Sequence, residues 1–353
     1  MKAKVVIGAN YGDECKGLVS GCLAREAYLN DNLNVLTVLY NGTNQRAHTF
    51  ENKIYRMTGA GANYSDTFYH RMFVVDPILL WITKTVVTID PRCRLILPCD
   101  VLYGQAREKK LKHGSCGFGL FSAVKRSKTN PYYLHDWQRE DKFKYLQDVD
   151  NFYTYTQNEI HNLANFIRAI DWVYKNCFIK TFEEIMAENN YDEIIFEGGQ
   201  GLLLDQENLG DFPHLTPSST GGFNIHSDIE KLNVPLDLFY VSRSYMTRHG
   251  AGPMEEECDK NDINTSIIDL TNQPNDWQGS LRFGRINIDN LFKRIKKDTE
   301  QYNCEKNINL VFTHLNYTNE QIETTNGRAH IICPSFINKV WGSNKQDNME
   351  VII

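Results

Sequence analysis

Along the chain, short uninterrupted apolar runs alternate with longer mixed segments. KVVIGA (4–9), NVLTVLYN (34–41), MFVVD (72–76), RLILP (94–98), EIIFEGG (193–199), LDLFYVSR (236–243) and INLVFTHLN (308–316) show little polar alternation, and most end in Gly, Asn or Asp. Runs of this kind predict strands buried on both faces of a mainly parallel sheet. Between them, NFIRAIDWVYKNCF (165–178) puts Phe166, Ile167, Ile170, Val173 and Tyr174 on one stripe and predicts a helix, and LVSGCLAREAYL (18–29) reads as another. Strand followed by helix, repeated, predicts an α/β fold with a mainly parallel central sheet flanked by helices. In such sheets ligands bind beyond the carboxyl ends of the strands, where the glycine-rich segments of this chain fall. No repeat, low-complexity tract or Pro/Gly linker divides residues 1–353, so a single domain with long functional loops is expected, and HGSCGFGLFSAVKRSKTN (113–130) reads as a long mobile loop.

Composition narrows the function class. The chain is 41% hydrophobic and 23% charged with a net charge of −6, which argues against nucleic-acid or bilayer binding. No apolar run approaches spanning length, and the first residues, MKAKVVIGAN, read as a strand rather than a signal peptide. Nine cysteines without a CxxC pair or zinc spacing predict reduced thiols and a cytoplasmic protein.

The chemistry concentrates in six segments. GANYGDECKG (8–17) lies between a strand and a helix, where Gly12 and Gly17 can turn backbone N–H groups toward an anion and Lys16 adds a point charge. It fails the Walker pattern, because Asp13 and Glu14 occupy its centre. An acid beside phosphate suits a Mg²⁺ ligand or a general base. YNGTNQRAHTF (40–50) offers His48. FEGGQGLLLD (196–205) offers the Gln200 amide, and DFPHLTPSSTGG (211–222) offers Thr216 and serines for phosphate. YMTRHGAGPM (245–254) carries Arg248, WQGSLRFGRIN (277–287) carries Arg282 and Arg285, and VFTHLNYT (311–318) ends a strand.

In this order the segments resemble the adenylosuccinate synthetase family. GDECKGL stands for the family's GDEGKGK, RAHT for AGHT, FEGGQGLLLD for FEGAQG-x-LLD, MTRHGAGPM for STRVGAGPF, THLN for TKLD, and WGSNKQDNMEVI loosely for GPDRTETI. The resemblance implies a P-loop-like nucleotide-binding fold of that type and a Mg²⁺-dependent, homodimeric ligase. In the family a base removes the N1 proton of a 6-oxopurine nucleotide while a nucleoside triphosphate phosphorylates O6. The amino group of aspartate then displaces that phosphate. By matching position the resemblance implies that Asp13 is the base, that His48 donates to the transferring phosphoryl group, and that Lys16 steadies its charge. Asp13 and Ala47 are the implied metal ligands. Gly12, Glu14, Cys15, Gly17, His48, Thr49, Asn316 and Gly342 are the implied nucleotide-binding residues. Gln45, Ser115, Cys116, Gln200, Thr216, Arg248, Ser280 and Arg282 are implied for the substrates, with Gln200 near the purine O6, Thr216 on the 5′-phosphate and Arg282 on the aspartate carboxylates. An arginine of one family subunit reaches the other's substrate phosphate, and Lys125 and Arg126 are the candidates here.

Two departures bear on substrates. Ser280 stands where the family has the arginine that meets the ribose 2′-hydroxyl, which removes a reason to prefer ribose. Asn316 replaces the aspartate that selects guanine, and an amide that both donates and accepts suits adenine equally well. Both departures, and the LNY triplet at 315–317, resemble the PurZ branch carried by bacteriophages that replace adenine with 2-aminoadenine. That branch joins aspartate to dGMP. The expected substrates are therefore dGMP, aspartate and a nucleoside triphosphate, ATP or dATP or else GTP, with IMP and GTP as the alternative.

Overall fold

The computed structural model describes residues 1–353 except 45, 154–162, 189, 270–271, 275–276 and 346. Its centre is a ten-stranded sheet. In chain order the strands are β1 (Lys2–Gly8), β2 (Val35–Leu39), β3 (Asp66–Tyr69), β4 (Thr88–Ile89), β5 (Phe178–Ile179), β6 (Glu193–Gly201), β7 (Leu236–Arg243), β8 (Lys306–Thr313), β9 (Lys339–Gly342) and β10 (Glu350–Val351). In space the order is β10-β9-β8-β7-β1-β6-β2-β3-β4-β5. Every pairing is parallel except that of β10 with β9.

The apolar runs follow from burial on both faces. Val5 and Ile7 of β1, with Leu238 and Tyr240 of β7, enter one core, which Leu291 and Ile295 of the helix Ile288–Thr299 cover. Val6, Phe239 and Val241 point the other way, onto Leu18, Val19 and Leu23 of α1 (Lys16–Asp31). A third core joins Tyr69, Leu80, Phe166, Ile170 and Val173, so the amphipathic stripe predicted at 165–178 does face inward, on a helix that runs Leu163–Asn176.

Three expectations change. Only Val74–Val75 and Arg94–Leu95 of the runs at 72–76 and 94–98 are strands, and they pair with each other in a separate two-stranded sheet. Phe178 leaves the predicted helix and becomes an edge strand beside β4. The segment 113–130 is not one long loop, because Leu120–Arg126 is helical and Arg126 is fully buried. Its guanidinium meets Asp100 (Nη2–Oδ2 2.8 Å) and donates to the carbonyls of Leu95 and Asn130. Arg126 therefore cannot reach a neighbouring subunit, whereas Lys125 is exposed.

Candidate active site

The carboxyl ends of β1, β2, β6, β7 and β8 gather the segments singled out in the sequence. Residues 9–15 link β1 to α1 and form a tight loop with Gly12 at φ +113° and Cys15 at φ +69°. Cys15, at the start of α1, is in the left-handed region where a Cβ is disfavoured. The two acids of the loop behave oppositely. Glu14 turns inward: its carboxylate accepts from the N–H groups of Asn10 (3.1 Å) and Gly12 (2.7 Å) and lies 3.4 Å from Lys16 Nζ. Lys16, also buried, donates to the Gly12 carbonyl at 2.6 Å. Asp13 has its main-chain carbonyl held by Arg243 Nε at 2.6 Å, while its carboxylate makes no hydrogen bond with any described residue. Burial pushes that carboxyl above the usual range, against His249 and then Arg243.

His48 opens a short strand, His48–Phe50, and packs on the first turn of α1. A Cβ on Gly17 would fall 2.5 Å from the His48 Cβ, so only glycine admits the ring so close. His48 Nδ1 lies 2.7 Å from both Glu197 Oε1 and Arg46 Nη2, and Arg46 pairs directly with Glu197. Glu197 Oε2 accepts from Ser20 Oγ (2.5 Å) and from the Ala60 N–H (3.0 Å). These contacts fix the ring and leave Nε2 as the nitrogen able to face a phosphoryl group. Burial, then Arg46 and Lys16, hold His48 well below its ordinary pKa, and burial lowers Arg46 to about 9.

Two cavities flank this centre. One is lined by Ser115, Cys116, Gln200, Thr216, Arg248 and His249. Gln200 Oε1 is buried there without a hydrogen-bond partner. Arg248 is a wall rather than a free cation: it donates to the carbonyls of His214 and Ala251 (both 3.0 Å) and of Pro253, and stacks on Tyr11 with 4.7 Å to the ring centroid. The other cavity is lined by Cys15, Thr49, Asp269, His314, Asn316 and Tyr317. The His314 and Tyr317 rings stack there at 6.2 Å, and burial and Arg243 hold His314 down to about 3, so its ring is neutral.

Other predicted residues stand apart. Ser280 is exposed and is not part of the first cavity. Arg282 pairs with Glu257 (Nε–Oε1 2.7 Å) and donates to the carbonyls of Gly250 (3.1 Å) and Gly252 (2.8 Å), so Glu257 must let go before this side chain can hold another carboxylate. Gly342 pairs with Phe312 inside the sheet, and Asn344 and Lys345, just after it, line the second cavity instead. Ala47 is exposed beside His48, and Gln45 lies outside the described residues.

The donor set suits Mg²⁺ bound with phosphate. Among the described residues no group of three His, Cys, Asp or Glu could hold a metal ion, but Asp13 offers an unpartnered carboxylate. Mg²⁺ commonly takes one or two protein oxygens and completes its shell with phosphates and water. Sequence reasoning passed over Arg46, Glu197, Arg243 and His249, although all four lie within quoted segments. The available signal was a charged or ionisable residue inside or just after an apolar strand, where burial demands a partner.

Comparison with known proteins bears on the family and the fold. A family model described as adenylosuccinate synthetase matches residues 79–278, more than half of the 353. The adenylosuccinate synthetase of Clostridium botulinum (strain Alaska E43 / Type E3) is 28% identical over 303 residues, which cover 73% of this chain and 66% of that protein. That of Pseudomonas fluorescens (strain SBW25) is 28% identical over 301 residues, covering 72% and 65%. The chain thus spans just under two thirds of the length of these relatives. A fully ligated adenylosuccinate synthetase from Plasmodium falciparum shares the fold, with a TM-score of 0.64 at 18% identity over 99% of this chain and 86% of that one. So does the succinoaminodeoxyadenylate synthetase (PurZ) of cyanophage S-2L, solved bound to dGMP and to dATP as an energy donor, with a TM-score of 0.62 at 13% identity over 99% and 95%. The extent of the family match shows that the chain belongs to the adenylosuccinate synthetase family.

Proposed function

We propose that this chain is a ligase that joins L-aspartate to C6 of dGMP through a 6-phosphoryl intermediate, using Mg²⁺ and ATP or dATP, and that it works as a homodimer. One observation carries the reading. In a loop whose other charged side chains are locked in place, the Asp13 carboxylate alone has no hydrogen bond with a described residue, and the loop adjoins one cavity where Gly12 meets Gln200 and the other at Cys15.

In this reading Asp13 takes the N1 proton of the purine, and burial, which raises its pKa, makes it a better acceptor. The electron pair released moves to O6, which attacks the terminal phosphorus and expels the nucleoside diphosphate. His48, fixed through Nδ1, and Lys16, held at the start of α1, face the charge that develops on the transferring group. Asp13 would hold Mg²⁺, which would supply positive charge against the phosphates. The aspartate amine then forms the C6–N bond and inorganic phosphate leaves. Gln200 meets the O6 edge, Thr216 and Ser115 the 5′-phosphate, and Asn316 the donor base. Ser280 in place of an arginine supports a deoxynucleotide, because its short side chain lacks the guanidinium that reaches a 2′-hydroxyl.

A second reading, IMP with GTP, is favoured by the names of the curated relatives. Incubation with ATP, Mg²⁺, aspartate and either dGMP or IMP separates the two. Succinylated product from dGMP is expected. Product from IMP alone ends the dGMP reading.

A further inference from the structure

His249 follows the strand Met246–Arg248 and lines the first cavity with Gln200 and Thr216. Its Nε2 is buried and has no hydrogen-bond partner. A buried polar atom left unpaired is costly unless a ligand satisfies it. Gln200, on the same cavity, lies against the loop that carries Asp13, its Cα 3.5 Å from where a Cβ on Gly12 would stand. In a 6-oxopurine, N1 is flanked by C6 on one side and C2 on the other. With Gln200 at the O6 edge, the C2 edge is left to His249. The family motif STRVGAGPF has valine where this chain, in MTRHGAGPM, has His249, and valine can neither donate nor accept.

We infer that His249 recognises the 2-amino group of a guanine-type substrate, its Nε2 accepting one amino N–H. The inference rests on the dGMP reading and names the residue that would enforce it. A hypoxanthine base has only C–H at C2 and leaves Nε2 unpaired, so the same residue selects against IMP-type substrates. Asp13 has a second carboxylate oxygen that competes for the role, and the experiment must tell the two apart.

Initial rates are measured with dGMP and dIMP, at saturating ATP, Mg²⁺ and aspartate, for the unaltered protein, His249→Val and His249→Gln. The unaltered protein should favour dGMP in kcat/KM by about tenfold or more. His249→Val should bring that ratio close to one, mainly through loss with dGMP. His249→Gln, whose amide oxygen reaches close to the Nε2 position, should keep part of the preference. A His249→Val protein with an unchanged ratio overturns the inference and leaves the dGMP reading standing, with Asp13 as the acceptor. Equal loss with both substrates in both variants makes His249 structural and also overturns it. If the unaltered protein acts on dIMP and IMP but not dGMP, the underlying reading itself fails.

Discussion

The loop at 8–17 and the segment at 277–284 both carry charged residues toward the site, but they are built on opposite principles. In the first, Glu14 and Lys16 are almost fully buried and satisfy one another and the backbone, and Glu197, Arg46 and His48 form a buried cluster against α1. In the second, Ser280 is exposed, and Arg282 reaches outward to Glu257 and to carbonyls of a neighbouring loop. The groups expected to do chemistry are thus preorganised before any ligand arrives, which is where electrostatic stabilisation is most effective. Ser280 and Arg282, expected to face the sugar and the aspartate, sit instead on a more open segment, where Arg282 must re-pair on binding. Rate and selectivity should therefore separate under mutation.

The sharpest break concerns Asp13. Asp13→Asn should lower turnover by about 10²–10⁴-fold, because an amide cannot take the N1 proton. Nucleotide binding, followed by calorimetry, should survive, since Glu14 rather than Asp13 holds the loop together. Turnover within tenfold of the unaltered protein would remove Asp13 from the chemistry.

Glu197 tests whether the buried cluster is as rigid as its contacts suggest. Glu197→Ala leaves the Arg46 charge buried without its partner, which typically costs about 3–5 kcal/mol. The midpoint of denaturant unfolding should fall accordingly, and turnover should fall further as His48 loses its anchor. Glu197→Gln keeps the shape and separates the two effects. A full-stability Glu197→Ala protein would mean that the cluster is not a structural unit.

Much of this division was legible in the sequence. The order of apolar runs predicted a parallel sheet because strands buried on both faces need no alternation, and the glycine-rich segments fell at strand ends as that fold requires. Short edges were not legible. Asp66–Tyr69 opens on two polar residues, and Thr88–Ile89 is too short to show any period, so neither announced a strand. Arg126 read as surface because its partner, Asp100, lies 26 residues earlier and only the fold brings them together. Glu197 and His249 could have been noticed, since an ionisable group at the end of an apolar strand needs an explanation. What remained out of reach was the state of Arg282, whose guanidinium is fully engaged although its sequence position suggests a free ligand.

Selectivity should move without loss of fold at Ser280. Ser280→Arg restores the donor that the family places at the sugar, and the residue is exposed, so stability should change by less than about 0.5 kcal/mol. The ratio of kcat/KM for GMP over dGMP should rise by roughly tenfold, the scale of one hydrogen bond to a hydroxyl. A ratio that stays fixed would place the sugar elsewhere and weaken the contrast between the two segments.

The smallest effect tests the rigid loop at its one unfavourable point. Cys15 holds φ +69° and ψ 40°, a conformation that costs a residue with a Cβ about 1–2 kcal/mol and glycine far less. Cys15→Gly removes that strain but also adds freedom to the unfolded chain, so its net gain should be below about 1 kcal/mol. Cys15→Ala keeps the strain and deletes only the sulfur, whose contact with His314 Nδ1 is 3.9 Å. The difference between the two variants, read by denaturant unfolding, isolates the backbone term and should favour glycine. If alanine proves equal to glycine, the loop relaxes around residue 15 and is softer than its hydrogen bonds imply. Preorganisation would then reside in Glu14, Lys16 and the Glu197 cluster alone.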